Sequence, residues 1–316
     1  MTMAAPRMGE PASITLRAPA KVNLALEIVG RRPDGQHDLL TIMQAVDLED
    51  EVEITWDRAG EGLALVLTAD RAWKVPDGPE NLAWKAADAF AAALSEPAWM
   101  AAGERPRIVI RLRKRIPVGS GLGGGSADAA AVLLGMNLLR GRPLGAGVLY
   151  RLAASLGADV PFALAGGTCF ATGRGEHLRR LPGLESVALV LVAPQVPVAT
   201  AWAYSAWDAE PLTGARGSAS ILESAIRQES LSRIADALWN DLEAVVERRY
   251  GVVKKIREDL LAAGALGARM SGSGSAVFGL VGSHGDALHV AAALRSFEHP
   301  VIVCRPLPAG CRPSNA

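Results

Sequence analysis

A glycine-rich run at residues 117–126 has the composition of a phosphate-binding loop. It contains five glycines, follows a strand-like segment at residues 108–112 and precedes an apolar helical pattern. Glycine lets the backbone approach a ligand closely, and the free N–H groups at a helix start attract phosphate. We therefore predict that the phosphates of a ligand are bound by the following residues: Pro117, Gly119, Ser120, Gly121, Leu122, Gly123, Gly124, Gly125 and Ser126.

Two familiar nucleotide-binding motifs do not describe this run. A Walker A loop ends in Gly-Lys-Ser/Thr, which is absent here, and the spacing does not fit the dinucleotide fingerprint either. A flexible Gly/Ser linker is a weaker interpretation, because linkers rarely lie between a strand and a capped helix. Ser126 is expected to cap that helix and is the candidate contact for a β-phosphate or Mg²⁺, and no other metal ligand is predicted.

Lys21 and Asn23 alternate with apolar residues in a segment with the period of a half-buried strand. Their side chains therefore share a face. The Lys21 ammonium could assist ionisation of an acceptor hydroxyl, and Asn23 could hydrogen-bond that hydroxyl. A solvated strand lysine is an equally good interpretation of Lys21 from the pattern alone.

Asp159 and His37 are the other candidates for chemistry. Asp159 follows Gly157 at a predicted helix end and precedes Pro161, a setting that can hold a general base rigidly. Spacing alone favours a turn or cap residue at this position. His37 carries both a donor and an acceptor and could read the edge of a base, although a lone histidine is more often structural.

The charge and cysteine content favour a small-molecule partner in a reducing compartment. Lys plus Arg equals Asp plus Glu at 33 each, so no global positive field attracts nucleic acid. The apolar runs are too short for a membrane span, and the first ten residues resemble no targeting signal. Three widely spaced cysteines suit the cytoplasm.

The secondary structure predicted around these residues indicates the α+β class. Strands are predicted at residues 39–46, 51–56, 63–68 and 108–112, with a helix at 81–94. A helix from Ser126 to Leu139 follows the glycine loop, and another precedes Gly157.

The second half is predicted to form a separate α+β domain. Strands are expected at residues 187–193, 267–270, 276–281 and 301–307, one helix at 240–264, another at 286–297, and an exposed loop at 209–220. With 316 residues, two domains are the natural expectation. We place them at residues 1–180 and 181–316.

Several motifs together resemble the GHMP kinases, a family of small-molecule kinases. The match begins with the glycine-rich segment at 117–130. Five further motifs, in chain order and spread over nearly the whole length, also resemble the family: APAKVNL at 18–24, RPDGQH at 32–37, GADVPF at 157–162, NDLE at 240–243 and MSGSGS at 270–275.

This resemblance implies a fold and a reaction. The fold is a two-domain GHMP kinase fold, with an N-terminal domain of the ribosomal-protein-S5-like type and a ferredoxin-like C-terminal domain. The reaction is transfer of a phosphoryl group from ATP, with Mg²⁺, to the 2-hydroxyl of a cytidine diphosphate-linked methylerythritol. Asp159 is then the base and Lys21 its partner, and the substrate-binding residues are Asn23, His37, Thr200, Tyr204 and Gly272.

One position departs from the pattern. Members often carry an aromatic residue just before the histidine to stack on cytosine, whereas this chain has Gln36. Tyr204 falls where the opposing aromatic is expected, and Trp202 is its neighbouring competitor. The alternatives left open are another GHMP kinase acting on homoserine, mevalonate or a sugar, and a non-catalytic nucleotide-binding regulator. A monomer and a homodimer are both compatible with the sequence.

Overall fold

The computed structural model describes residues 12–57, 62–69, 73–94, 107–210, 217–294 and 298–314. Its strands are β1 (Ala12–Arg31), β2 (His37–Asp57), β3 (Gly62–Thr68), β4 (Arg107–Arg113), β5 (Thr168–Thr172), β6 (His177–Arg180), β7 (Ala188–Val192), β8 (Trp239–Asn240), β9 (Gly267–Met270), β10 (Val277–Val281), β11 (Val301–Cys304) and β12 (Arg312–Pro313). Its helices are α1 (Leu82–Ala93), α2 (Gly124–Leu139), α3 (Ala146–Leu156), α4 (Val160–Ala165), α5 (Thr200–Ala209), α6 (Ser218–Arg227), α7 (Leu231–Asp236), α8 (Glu243–Arg249), α9 (Gly251–Ala262) and α10 (His284–Ala293). The predicted α+β class is confirmed.

The first sheet is organised around two long antiparallel strands. Its main order is β12-β1-β2-β4-β3, while β5 pairs with β2 and with β6. Strand β1 was predicted to be half-buried, and this was wrong, because residues 18–28 are buried on both faces. The polar side chains of Lys21, Asn23 and Glu27 are therefore enclosed, and each must find a partner inside the protein.

Helix α2 lies directly on this sheet. Its glycine at position 135 allows the close approach, since a Cβ there would lie 2.5 Å from Ile54 Cδ1 and 2.6 Å from Leu16 Cδ1. The helix begins at Gly124, and its N-cap is Gly123 in the left-handed conformation, with no side-chain cap. The predicted capping role of Ser126 was therefore wrong: this serine is the third residue inside the helix.

The second sheet has the order β11-β7-β10-β9, in which every pair is antiparallel. Helices α9 and α10 pack on it. The single helix predicted at residues 240–264 is instead two helices that meet at Tyr250, because the backbone leaves the helical region at φ −124°. Strand β11 ends at Cys304 rather than Leu307, and the predicted helix end at Phe297 lies outside the described residues.

Helices α5, α6 and α7 were not predicted from the sequence. They include part of the segment at 209–220 that was expected to be a loop, since α6 begins at Ser218. Residues 211–216 of that loop lie outside the described residues. None of the helices in the described part of the chain has the length and apolar character that a bilayer-spanning helix needs.

The change from the first sheet to the second falls between β6, which ends at Arg180, and β7, which begins at Ala188. Two short strands of the C-terminal half nevertheless return to the first sheet, because β8 and β12 both pair with β1. Segments of the C-terminal half thus complete the first sheet, and the domain division at residue 180 stays a prediction.

Candidate active site

A cavity of about 860 Å³ is lined by parts of β1 and β2, the glycine loop, helix α5 and the turn that follows β9. Every residue predicted to act in the site lines it: Lys21, Asn23, His37, Pro117, Gly119, Ser120, Gly121, Leu122, Gly123, Gly124, Gly125, Ser126, Asp159, Thr200, Tyr204 and Gly272. Residues that are up to 251 positions apart in the sequence therefore share one enclosure. Their lining of one cavity does not by itself assign their roles.

The candidate catalytic pair is formed in the folded chain. Lys21 Nζ lies 3.4 Å from Asp159 Oδ2 and donates a hydrogen bond of 2.6 Å to Asn23 Oδ1. The Lys21 side chain is 8% exposed and that of Asp159 is 35% exposed. The carboxylate thus remains open to an incoming hydroxyl while the ammonium behind it is enclosed, an arrangement suited to a general base with an electrostatic partner.

The amide of Asn23 is oriented by a second contact. Its Nδ2 donates to Thr41 Oγ1 at 2.9 Å, and the Thr41 hydroxyl donates to the backbone oxygen of Ala25 at 2.6 Å. Because Thr41 uses its proton on Ala25, it can only accept from Asn23, and this fixes the Asn23 oxygen toward Lys21. Asn23 therefore positions Lys21 in this structure, in addition to any contact with substrate.

The backbone of the glycine loop packs against a second glycine-rich turn, the MSGSGS segment at residues 270–275. Gly119, Gly121 and Gly123 all have positive φ, between 69° and 80°. A Cβ at Gly121 would lie only 2.1 Å from the backbone oxygen of Ser271, so a side chain cannot fit there. Close contact between the two turns, as well as approach to a ligand, explains the glycine at this position.

Hydrogen bonds connect the same two turns. Ser271 Oγ donates to the Gly121 oxygen at 3.1 Å, and Ala276 N donates to the Ser120 oxygen at 2.9 Å. Asn240 Nδ2 donates to the Gly272 oxygen at 2.8 Å and to that of Met270 at 2.7 Å. Asn240 and Ser271 thus hold the second turn beside Lys21, a role not assigned to either from the sequence.

His37 lines the same cavity from the start of β2. Its ring stacks on Tyr204, with centroids 4.8 Å apart and an interplanar angle of 24°. Its Nε2 is 2.7 Å from Asp208 Oδ1. Burial, followed by the nearby Asp159 carboxylate, raises the pKa of the Tyr204 hydroxyl. The predicted pair of His37 and Tyr204 is brought together, whereas Asp208 was missed.

The competing aromatic residue and the unusual glutamine also have defined environments. Trp202 packs against Tyr250 with centroids 5.6 Å apart, under the guanidinium of Arg249. Gln36 accepts a 3.3 Å hydrogen bond from Arg174, which also lines the cavity. At the position before the histidine, this chain therefore presents an amide paired with a guanidinium.

Thr200 closes one side of the cavity. Its hydroxyl is 2.9 Å from Ser273 Oγ, so that the start of α5 contacts the second glycine turn. Thr200 and Gly272, both predicted to bind substrate, are thus on neighbouring parts of one wall.

A buried ion cluster underlies the glycine loop and was not predicted. Lys114 Nζ donates to carboxylates of Asp50 and Asp128, the latter at 2.5 Å, and all three side chains are at most 3% exposed. Burial raises the pKa of Asp128 to about 7, although the Lys114 ammonium opposes that change. Asp128 Oδ1 has no hydrogen-bond partner among the described residues. Lys114 and Asp128 also belong to the residues that line the cavity.

The described residues contain no group of three or more His, Cys, Asp or Glu side chains placed to hold a metal ion. The Ser126 hydroxyl and the Asp159 carboxylate do line the same cavity. Such oxygen atoms fit Mg²⁺ that is bound mainly through nucleotide phosphates and takes only one or two protein ligands.

Comparison with known families agrees with this geometry. Residues 81–167 match the GHMP kinases N terminal domain, and residues 222–299 match the GHMP kinases C terminal domain. The chain is 44% identical to a 4-diphosphocytidyl-2-C-methyl-D-erythritol kinase of Geobacter sulfurreducens over 90% of this chain and 95% of that protein. It is 46% identical to the kinase of the same description from Geobacter metallireducens, over 87% and 92% of the two chains.

Solved structures confirm the predicted two-domain GHMP kinase fold. A 4-(cytidine 5'-diphospho)-2C-methyl-D-erythritol kinase gives a TM-score of 0.73 at 35% identity, covering 93% of this chain and 99% of that one. A homoserine kinase from Cytophaga hutchinsonii gives 0.75 at 21% identity, covering 99% and 98%. Shape alone therefore does not separate the two kinds of kinase, and the sequence identity does. The chain belongs to the GHMP kinases and, among them, to the family of the 4-diphosphocytidyl-2-C-methyl-D-erythritol kinases.

Proposed function

We propose that this protein transfers the γ-phosphoryl group of ATP to the 2-hydroxyl of 4-diphosphocytidyl-2-C-methyl-D-erythritol, a step in non-mevalonate isoprenoid precursor synthesis. The observation that carries the proposal is the 3.4 Å pair of Lys21 and Asp159, which shares one cavity with the glycine loop and with the His37–Tyr204 stack. The proposed phosphate site, base and nucleobase site would thus share one cavity.

The glycine loop is proposed to bind the triphosphate. Its residues 117–126 line the cavity, and helix α2 begins at Gly124 with its N-terminus at the loop. Free N–H groups and the positive end of the helix dipole stabilise phosphate oxygens at such a position. Mg²⁺ bound to the nucleotide would neutralise phosphate charge in the transition state, with Ser126 as its candidate protein ligand.

Asp159 is proposed to accept the proton of the acceptor hydroxyl. Its partly open carboxylate is the group in the pair that can reach a substrate, and Lys21 lies 3.4 Å behind it. The hydroxyl oxygen attacks the γ-phosphorus as its proton moves to Asp159, and ADP leaves. Positioning and charge stabilisation account for most of the catalysis in such reactions.

The cytidylyl part of the acceptor is assigned to His37 and Tyr204. The Tyr204 ring offers a face for stacking, and the His37 ring offers nitrogen atoms for hydrogen bonds to the base. Thr200 and Gly272 are proposed to bind the diphosphate, since Thr200 contacts Ser273 and the adjacent Gly272 lies beside Lys21.

Coupled ADP release tests the proposal. The expected result is rapid turnover with the cytidylyl methylerythritol acceptor and little with homoserine or mevalonate. The Asp159→Asn and Lys21→Met variants should each reduce kcat by about 10²–10⁴-fold, the usual contribution of a positioned acid–base group. Preference for homoserine or mevalonate would contradict the substrate, and ATP binding without ADP release with any acceptor would indicate a regulator. The cytoplasmic location and the monomeric or homodimeric state stay predictions.

A further inference from the structure

Helix α5 supplies three side chains to a single histidine ring. Tyr204 stacks on His37, Trp207 meets it edge-on with centroids 6.1 Å apart, and Asp208 contacts its Nε2 at 2.7 Å. These positions are three and four residues apart and therefore lie on one face of the helix. The His37 side chain is only 5% exposed. His37 comes from the start of β2, so its ring is held by a helix from the other half of the chain.

The contact with Asp208 determines which nitrogen of a neutral ring carries the proton. An ionised carboxylate can only accept a hydrogen bond, so Nε2 must donate. Nδ1 is then left with a lone pair and acts as an acceptor. The second oxygen of Asp208 lies 3.7 Å from Arg31 Nε, a contact that helps to hold the carboxylate in place.

We propose that Asp208 is a positioning residue that holds His37 in the Nε2–H tautomer, so that Nδ1 accepts from the exocyclic amino group of the substrate's base. This inference rests on the proposed function, because it concerns the cytidylyl end of the acceptor. Asp208 lines the same cavity as His37, yet its hydrogen bond is made to the histidine. It therefore acts on the base through His37.

This arrangement distinguishes cytosine from uracil. Cytosine carries an amino donor at the position where uracil carries a carbonyl acceptor. The Nδ1 acceptor can form a hydrogen bond with the amino group of cytosine. The uracil carbonyl is also an acceptor, so it cannot form a hydrogen bond with Nδ1. A buried acceptor left without a partner costs more than the bond itself contributes. The Asp208–His37 pair should therefore select the cytidine form of a substrate over the uridine form.

The tautomer can be measured in the protein without substrate. Two-bond ¹⁵N–¹H correlations of the imidazole rings separate the two neutral tautomers and the imidazolium. A His37→Gln variant assigns the His37 signals among the five histidines. We expect the Nε2–H form in the wild type and a mixture of tautomers in Asp208→Ala. An imidazolium or an Nδ1–H ring in the wild type, or an unchanged ring in the variant, would overturn the proposal.

Base selectivity is measured with CDP and UDP as competitors of the cytidylyl acceptor. We expect CDP to bind the wild type more tightly, and the ratio of the two inhibition constants to fall about tenfold in Asp208→Ala, with the KM for ATP unchanged. Asp208→Asn is nearly isosteric, keeps an oxygen acceptor for Nε2–H and should lose less selectivity. It serves as the test if the alanine variant does not fold.

Glu210→Gln is the matched control. It removes the same charge from the end of the same helix, but Glu210 pairs with Arg248 at 2.6 Å and its side chain is 64% exposed. Both the His37 tautomer and the CDP/UDP ratio should stay as in the wild type. An equal loss of selectivity in Glu210→Gln and Asp208→Ala would reject a specific role for Asp208. The proposed function fails separately, if the wild type releases no ADP with the cytidylyl acceptor.

Discussion

Replacing Gly121 with alanine should separate the glycine loop at residues 117–126 from the second glycine turn at residues 270–275. A methyl group at this position would lie 2.1 Å from the Ser271 oxygen, 3.0 Å from Gly274 N and 3.2 Å from the Gly274 oxygen. Ordinary van der Waals contact begins at 3.4 Å. All three neighbours are backbone atoms, so the variant can relieve the overlap only by moving one turn away from the other.

The expected loss of stability has two parts. Gly121 has φ +80°, and a residue with a Cβ pays about 1–2 kcal/mol for that left-handed conformation. Moving the turns apart also breaks two inter-turn hydrogen bonds, one from Ser271 to Gly121 and one from Ala276 to Ser120. Each is worth about 0.5–1.5 kcal/mol. We therefore expect a total loss of about 2–5 kcal/mol in the free energy of unfolding.

Gly119→Ala is the matched control, because Gly119 has φ +69° in the same loop but no atom within 4 Å of the position that a Cβ would take. It should lose only the conformational part, about 1–2 kcal/mol. Urea unfolding followed by tryptophan fluorescence measures both variants against the wild type. Equal losses in the two variants would show that contact between the turns does not constrain Gly121, and the close packing of the two turns would be rejected as the reason for this glycine.

Three further changes test other parts of the site. Burial raises the pKa of Asp128 from 3.8 to about 7, so the folded protein binds this proton more tightly than the unfolded chain and loses stability as the pH rises through that interval. Between pH 4 and pH 8 the free energy of unfolding of the wild type should fall relative to that of Asp128→Asn, and a constant difference would contradict this sign. His37→Ala should raise the KM for the cytidylyl acceptor more than the KM for ATP, and equal rises would remove His37 from the base site. In Gly124→Val the added Cβ would meet Ile116 at 3.1 Å and Lys114 Nζ at 3.3 Å, so ATP affinity measured by calorimetry should fall as the start of α2 is displaced, and unchanged affinity in a folded variant would contradict this.

The position of the glycine loop follows from local sequence. The glycine run, the strand before it and the helix after it are adjacent in the chain, and their pattern predicted the position of the loop. The helix start was misplaced because Gly124 and Gly125 were counted as loop, whereas both are helical and Gly123 provides the turn. Glycine is a poor helix former, so its presence inside a first turn has no local signal.

Contacts between distant segments were not predictable in the same way. Lys114 pairs with Asp50 across 64 positions, and His37 meets Asp208 across 171. The alternation in β1 predicted one solvent-exposed face. This was wrong because the sequence does not show that the second half of the chain covers that face. The sequence offered one signal of the ion cluster: Asp128 is an acidic residue within the alanine-rich pattern of α2.

The most direct test of the proposed phosphoryl transfer is a crystal structure with a nonhydrolysable ATP analogue and the cytidylyl acceptor bound together. We predict triphosphate oxygens on the backbone N–H groups of residues 119–125 and the acceptor hydroxyl within hydrogen-bond distance of Asp159, in line with the γ-phosphorus. A nucleotide bound away from this loop, or an acceptor hydroxyl directed away from Asp159, would contradict the proposed mechanism.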